Sequence, residues 1–134
     1  MNQKHRIARY IALVVGGLLC VVGVLHDIVN IPSLTRALAR GEIAERMGPQ
    51  LVANVALAGL ALALLGVLLV LIAPDLGRGK HAAWRIGIVI GLFLVISGVA
   101  AYLWQPRESV LIFSALGGLL CGPLLIWRKD FLVE

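Results

Sequence analysis

The sequence predicts an all-α fold, an integral membrane bundle of four antiparallel helices with one long first loop outside the cytoplasm. Three observations predict it. The 134-residue chain is 60% hydrophobic and 14% charged, against roughly 45–50% and 25% in an average soluble domain. The apolar residues fall into four runs, Tyr10–Val29, Leu51–Ala73, Ile86–Trp104 and Val110–Trp127. Basic residues cluster in the gaps between runs, as they do beside membrane helices.

Each run has about 18–23 residues, the length that crosses a hydrocarbon core of about 30 Å at about 1.5 Å per residue. In lipid, an isolated strand would leave its backbone unsatisfied, so each run is expected as a helix. Residues 1–134 then make one domain, with helices at about 10–29, 51–73, 86–104 and 110–127.

The first run has the basic lead of a signal peptide in Lys4, His5, Arg6 and Arg9. It is long, however, and no small-x-small cleavage site follows at Leu25–Ile31. Leu19 before Cys20 also argues against a lipoprotein signal, so the run is read as a retained helix. The loop from Asn30 to Gln50 sets Leu34, Ala37, Leu38, Ile43 and Met47 among Arg36, Arg40, Glu42, Glu45 and Arg46. That alternation predicts a short amphipathic helix lying on the outer surface. The second loop, Pro74–Lys80, is a charged turn, and the short third loop, Gln105–Ser109, makes the last two helices a hairpin. Pro123 beside Gly122 predicts a kink in the fourth helix.

Orientation follows from Lys and Arg in the flanks. Lys4, Arg6, Arg9, Arg78, Lys80, Arg85, Arg128 and Lys129 fall on one side. Arg36, Arg40, Arg46 and Arg107 fall on the other. The richer side is expected in the cytoplasm, with both termini there, in a bacterial inner membrane. Tyr10, Trp84, Tyr102, Trp104 and Trp127 sit where an interfacial aromatic belt would place them.

Membrane helices meet through small residues. Gly16 and Gly23 on the first helix, Gly87, Gly91 and Gly98 on the third and Gly118 on the fourth are the expected packing positions. Gly-Gly-Leu-Leu-Cys occurs at Gly16–Cys20 and again at Gly117–Cys121. With so few residue types in use, this reads as composition rather than as a repeat. The small faces of the second helix leave room for a homodimer or a partner membrane subunit.

The net charge of +5 comes without a basic stripe interleaved with aromatics, which points to membrane lipids as partners and not to nucleic acid. His26, Asp27, Asn30, Asn54, Tyr102 and Gln105 gather toward the outer side, and together they outline a polar, ligand-binding pocket under the first loop. The plainer reading is that His26 and Asp27 mark the interface and that Asn54 makes a helix–helix hydrogen bond. A metal site would need more ligands than His26 and its neighbours supply. Gly77-Arg78-Gly79-Lys80 lacks P-loop spacing, so no cofactor is expected, though it can meet anionic headgroups as ordinary basic loops do. Ser97 and Ser114 have no evident base in the same layer, and Ser109 has only His26 as a candidate. The leading expectation is a non-catalytic accessory subunit or binder of a lipophilic molecule. A small dimeric transporter and a lipid-modifying enzyme are the alternatives.

The basic start, the Gly16-Gly17 pair, the polar end at His26 and Asp27 and the long first loop resemble the layout of small bacterial four-helix membrane proteins of the DoxX-like families. The resemblance implies the same four-helix architecture and carries over no functional residue. Small multidrug transporters are similar in size, but their transport rests on a deep acidic residue in helix one, and Asp27 lies nearer the surface.

Overall fold

The structure is a computed structural model that describes residues 2–104 and 106–132. Its elements in chain order are α1 (Gln3–Ala39), a 3₁₀ turn (Glu45–Met47), α2 (Gly48–Gly77), α3 (His81–Trp104), a 3₁₀ turn (Glu108–Val110), α4 (Leu111–Ile126) and α5 (Arg128–Leu132). No strand occurs among the described residues. Four stretches, one on each of α1 to α4, are long and apolar enough to cross a membrane. Only 17% to 28% of each apolar stretch is buried inside the chain.

The expected first loop is largely helix. α1 continues through Pro32 to Ala39 and has 37 residues, about 55 Å at 1.5 Å per residue. Pro32 removes one backbone donor, yet polar side chains around it bond back to carbonyls four residues earlier. Asn30 donates to the His26 carbonyl at 2.7 Å, Ser33 to Val29 at 2.9 Å, and Thr35 to Ile31 at 2.8 Å. These side chains bind the carbonyls of His26, Val29 and Ile31 on either side of the proline, and the helix continues through it. The rest of that loop holds a turn at Glu45–Met47 and the start of α2 at Gly48.

Both long helices stop at a glycine of positive φ. At Gly41 (φ 72°) the Glu42 amide reaches the Ala37 carbonyl at 3.1 Å and the Gly41 amide reaches Leu38 at 3.0 Å. At Gly79 (φ 74°) Lys80 reaches Asp75 and Gly79 reaches Leu76, each at 3.0 Å. Each is a Schellman closure, in which only glycine enters the left-handed region without strain.

The chain divides into two units, Gly16–Leu68 and the pair of segments Met1–Val15 with Leu69–Glu134. In the first, α1 and α2 run antiparallel with their backbones in contact. A Cβ on Gly23 would lie 2.5 Å from the Gly59 carbonyl, and one on Gly66 would lie 2.5 Å from that of Gly16. Further along, Gly48 is seated against the Leu38 side chain.

In the second, the start of α1 contributes the buried face Ala8, Ala12 and Val15, and α2 contributes Leu69, Ala73 and Leu76. Ile90, Leu94, Leu120 and Leu124 complete the core from α3 and α4. These two helices pack antiparallel, with Gly98 at Ser114, Gly91 at Gly117 and Cys121, and Gly87 at Leu124. α4 runs on through Pro123 and stops at Trp127. The short α5, whose residues read as part of a basic tail in the sequence, buries Phe131 against the His5 ring at 4.7 Å. Lys4 holds Asp130 beside it at 3.0 Å, and the His5 Nε2–H donates to the Asp130 carbonyl at 3.2 Å.

The expected packing glycines Gly16, Gly23, Gly87, Gly91 and Gly98 are buried at helix contacts. Gly118 is not among them. It is exposed with open space where a side chain would go, and Gly117 makes the contact instead. One residue turns a helix by about 100°, so a neighbouring glycine serves a different face.

The repeated pentapeptide is a packing unit, against the compositional reading. In both copies the first glycine presents its carbonyl to a glycine of the opposing helix, Gly66 or Gly91. The second glycine, Gly17 or Gly118, has nothing near it. The second leucine, Leu19 or Leu120, is buried to 1% exposure or less. The cysteine sulfur rests on the opposing glycine, and its thiol donates to a carbonyl three residues before that glycine, Ala63 or Ile88, at 3.5 Å in each case. Both thiols are free.

Candidate functional site

The polar groups of the α1–α2 unit centre on one pair. His26 Nδ1 lies 3.2 Å from Asp27 Oδ1, with the side chains 31% and 27% exposed. An ionised carboxylate only accepts, so the ring N–H donates in this contact. Adjacent helical residues diverge by about 100°, and the pair meets because both side chains are long enough to bend together. The Asp27 carboxylate rests directly on Gly59 of α2, where any Cβ would strike its oxygens. Glycine at that position is what lets a carboxylate sit between the two helices.

Within this unit, the other two expected pocket residues do not join the pair. Asn30 is exposed, and its side chain is used on the His26 carbonyl, tying it to its own helix. Asn54 is exposed as well, five residues from Gly59 and therefore about 140° away from the face that meets Asp27. The depth assigned to Asn54 is compatible with this register, but its azimuth is wrong. Tyr102 lies on α3 among the residues of the other unit and is 36% exposed. Gln105 lies outside the described residues. Among the described residues, no three His, Cys, Asp or Glu side chains gather as a metal would require.

A groove that the sequence reading missed lies along the same α1 face. Thr35 and Leu38 of α1 and Gly48, Pro49, Val52, Ala53 and Ala56 of α2 line a cavity of about 620 Å³, with Glu45 at the connecting segment. Asp27, Ile31, Thr35 and Leu38 follow one another at helical spacing, as do Val52, Ala56 and Gly59. The helices touch at Asp27 and Gly59, and the groove occupies the turns between that contact and the seat of Gly48 on Leu38. The small side chains Ala53 and Ala56 were the available sequence signal. They did not mark a groove, because nothing in the sequence shows that α1 reaches as far as Leu38.

No family model, curated protein or solved structure matches the chain.

Proposed function

We propose that this chain is a small polytopic membrane protein that binds a lipid or another lipophilic molecule and carries out no chemistry of its own. The observation that carries this reading is the groove between Thr35, Leu38, Val52, Ala53 and Ala56, whose lining is almost wholly apolar. Ligand sites are typically concave and apolar with a few placed polar groups. Glu45 at the rim, and His26 and Asp27 about two turns further along the α1 face, are the polar groups within reach of an amphiphile's head. The charged residues of the flanks favour an orientation with both termini in the cytoplasm and the groove on the outer side of a bacterial inner membrane. Asp27 has too shallow a place along the apolar run to favour a transporter, and no nucleophile accompanies His26 to favour an enzyme.

Native mass spectrometry of the protein, extracted in a gentle detergent and released intact, tests the reading. A retained small molecule or specific lipid is expected in the parent protein and is expected to be lost in Ala56→Trp, which fills the groove. A bare chain, or one carrying a second protein, would replace the binder with an accessory subunit. An adduct that survives Ala56→Trp would move the ligand elsewhere.

A further inference from the structure

A second cleft, independent of the groove, lies where α3 begins. It has a volume of about 500 Å³ and is walled by Arg78, Lys80, His81 and Arg85, with Phe131 as its floor and no acidic residue in its lining. Two features fix its shape. His81 stacks on Trp84, ring centroids 5.5 Å apart and planes 24° from parallel. Trp84 is itself anchored, its indole N–H donating to the Leu124 carbonyl at 2.8 Å. Phe131 is 1% exposed and is backed by the His5 ring. The first backbone bond of α3 runs from the Trp84 amide to the Lys80 carbonyl, so the amides of residues 81–83 open toward the helix start with the positive end of its dipole.

Among the described residues, one carboxylate is paired with these cations. Asp75 holds Lys80 at 2.9 Å and Arg78 at 3.1 Å. Both pairs are solvent-exposed and therefore weak, so a phosphate with several acceptor oxygens can take the two cations from it.

We infer that this cleft binds the phosphate group of an anionic membrane lipid. The lipid, rather than a soluble phosphate, is favoured by the place of the cleft. It sits at the ends of two helices apolar enough to cross a membrane, where the acyl chains of a bound lipid can run along their apolar surface. A basic loop that merely follows the charge asymmetry of membrane proteins would respond to the number of cations. A built site responds to which cation is removed.

The test is a native mass spectrometry titration of the full chain in detergent, in the Ala56→Trp background so that the groove is filled. Phosphatidylglycerol is compared with phosphatidylcholine of the same acyl chains. The expected result is a clear preference for phosphatidylglycerol that falls about fivefold to tenfold in Arg85→Ala and less than about twofold in Arg128→Ala, which removes the same charge outside the cleft. Asp75→Asn, by releasing Arg78 and Lys80, is expected to tighten binding. Should Arg85→Ala lose its helical circular dichroism, Arg85→Lys and Asp75→Asn carry the comparison. Equal losses from Arg85 and Arg128, or no effect of Asp75→Asn, overturn the site. Inorganic phosphate that displaces the lipid at millimolar concentration overturns the lipid as its source.

Discussion

The packing around Cys20 and the packing around Cys121 use the same five residues for the same contacts, and they diverge one or two turns further on. Three residues after Cys20 stands Gly23, backbone to backbone with Gly59 and Ala63. Three residues after Cys121 stands Leu124, which fills the space over Gly87 and takes the Trp84 N–H on its carbonyl. Seven residues before the opposing glycine, the α1–α2 unit has Gly59 where the α3–α4 hairpin has Trp84. The first choice opens a seat for the Asp27 carboxylate, and the second closes the helices with a ring. A shared close-packing unit thus holds each helix pair together, and the candidate site arises where one pair keeps its glycines and the other replaces them with bulk.

The sharpest way to break this comparison is to add a Cβ at each opposing glycine. Gly66→Ala is expected to cost about 2–3 kcal/mol, because the new atom meets the Gly16 carbonyl and the Cys20 amide, neither of which can rotate away. Gly91→Ala should cost less, about 1–2 kcal/mol, since the first atom it meets is the mobile Cys121 sulfur and the nearest backbone oxygen lies at 3.1 Å. Unfolding in mixed detergent–dodecyl sulfate micelles, followed by circular dichroism, reads both, and a reversed order would show that the two packings differ at their centre.

A double-mutant cycle sharpens the comparison at its point of divergence. Gly59→Ala alone is expected to destabilise by about 1–3 kcal/mol, and in an Asp27→Ala background by at least about 1 kcal/mol less, since the three atoms nearest the new Cβ all belong to Asp27. Additive losses would mean that the carboxylate is not seated on Gly59.

The thiols should matter less and equally. Cys20→Ala and Cys121→Ala are each expected to cost about 1 kcal/mol and to agree within about 0.5 kcal/mol, in keeping with weak thiol donors and the modest worth of polar contacts between membrane helices. The smallest effect belongs to the open glycines. Gly17→Ala and Gly118→Ala are expected to leave stability unchanged or raise it by up to about 1 kcal/mol through helix propensity. A loss at either position in the purified protein would reveal a contact made on that face.

Much of this architecture is legible in the sequence, because lipid imposes one strong rule: an apolar run of about twenty residues must become a helix. The four runs obey it. Their ends are less legible. Pro32, Arg36 and Arg40 spell a loop, yet α1 continues through Pro32 and Arg36 and ends only at Ala39. Of the site, His26 and Asp27 stand out as polar groups near the end of an apolar run. Asn54 is misplaced because a residue's depth follows from counting, whereas the side of the helix it occupies depends on the contact register. Gly59 is visible as a small residue, but nothing in the sequence marks it as the seat of a carboxylate. Phe131 is hidden for a related reason. Its burial depends on His5, more than a hundred residues away in the chain.

The seating of the two sulfurs has a kinetic consequence. A thiol pressed against a glycine of the opposing helix meets an alkylating reagent mainly when its helix pair comes apart, the buried Cys121 more strictly than the half-buried Cys20. Cys20 and Cys121 are therefore two clocks already present in the chain, each timing the opening of its own pair. Their labelling half-lives, compared side by side, would show which pair breathes more often.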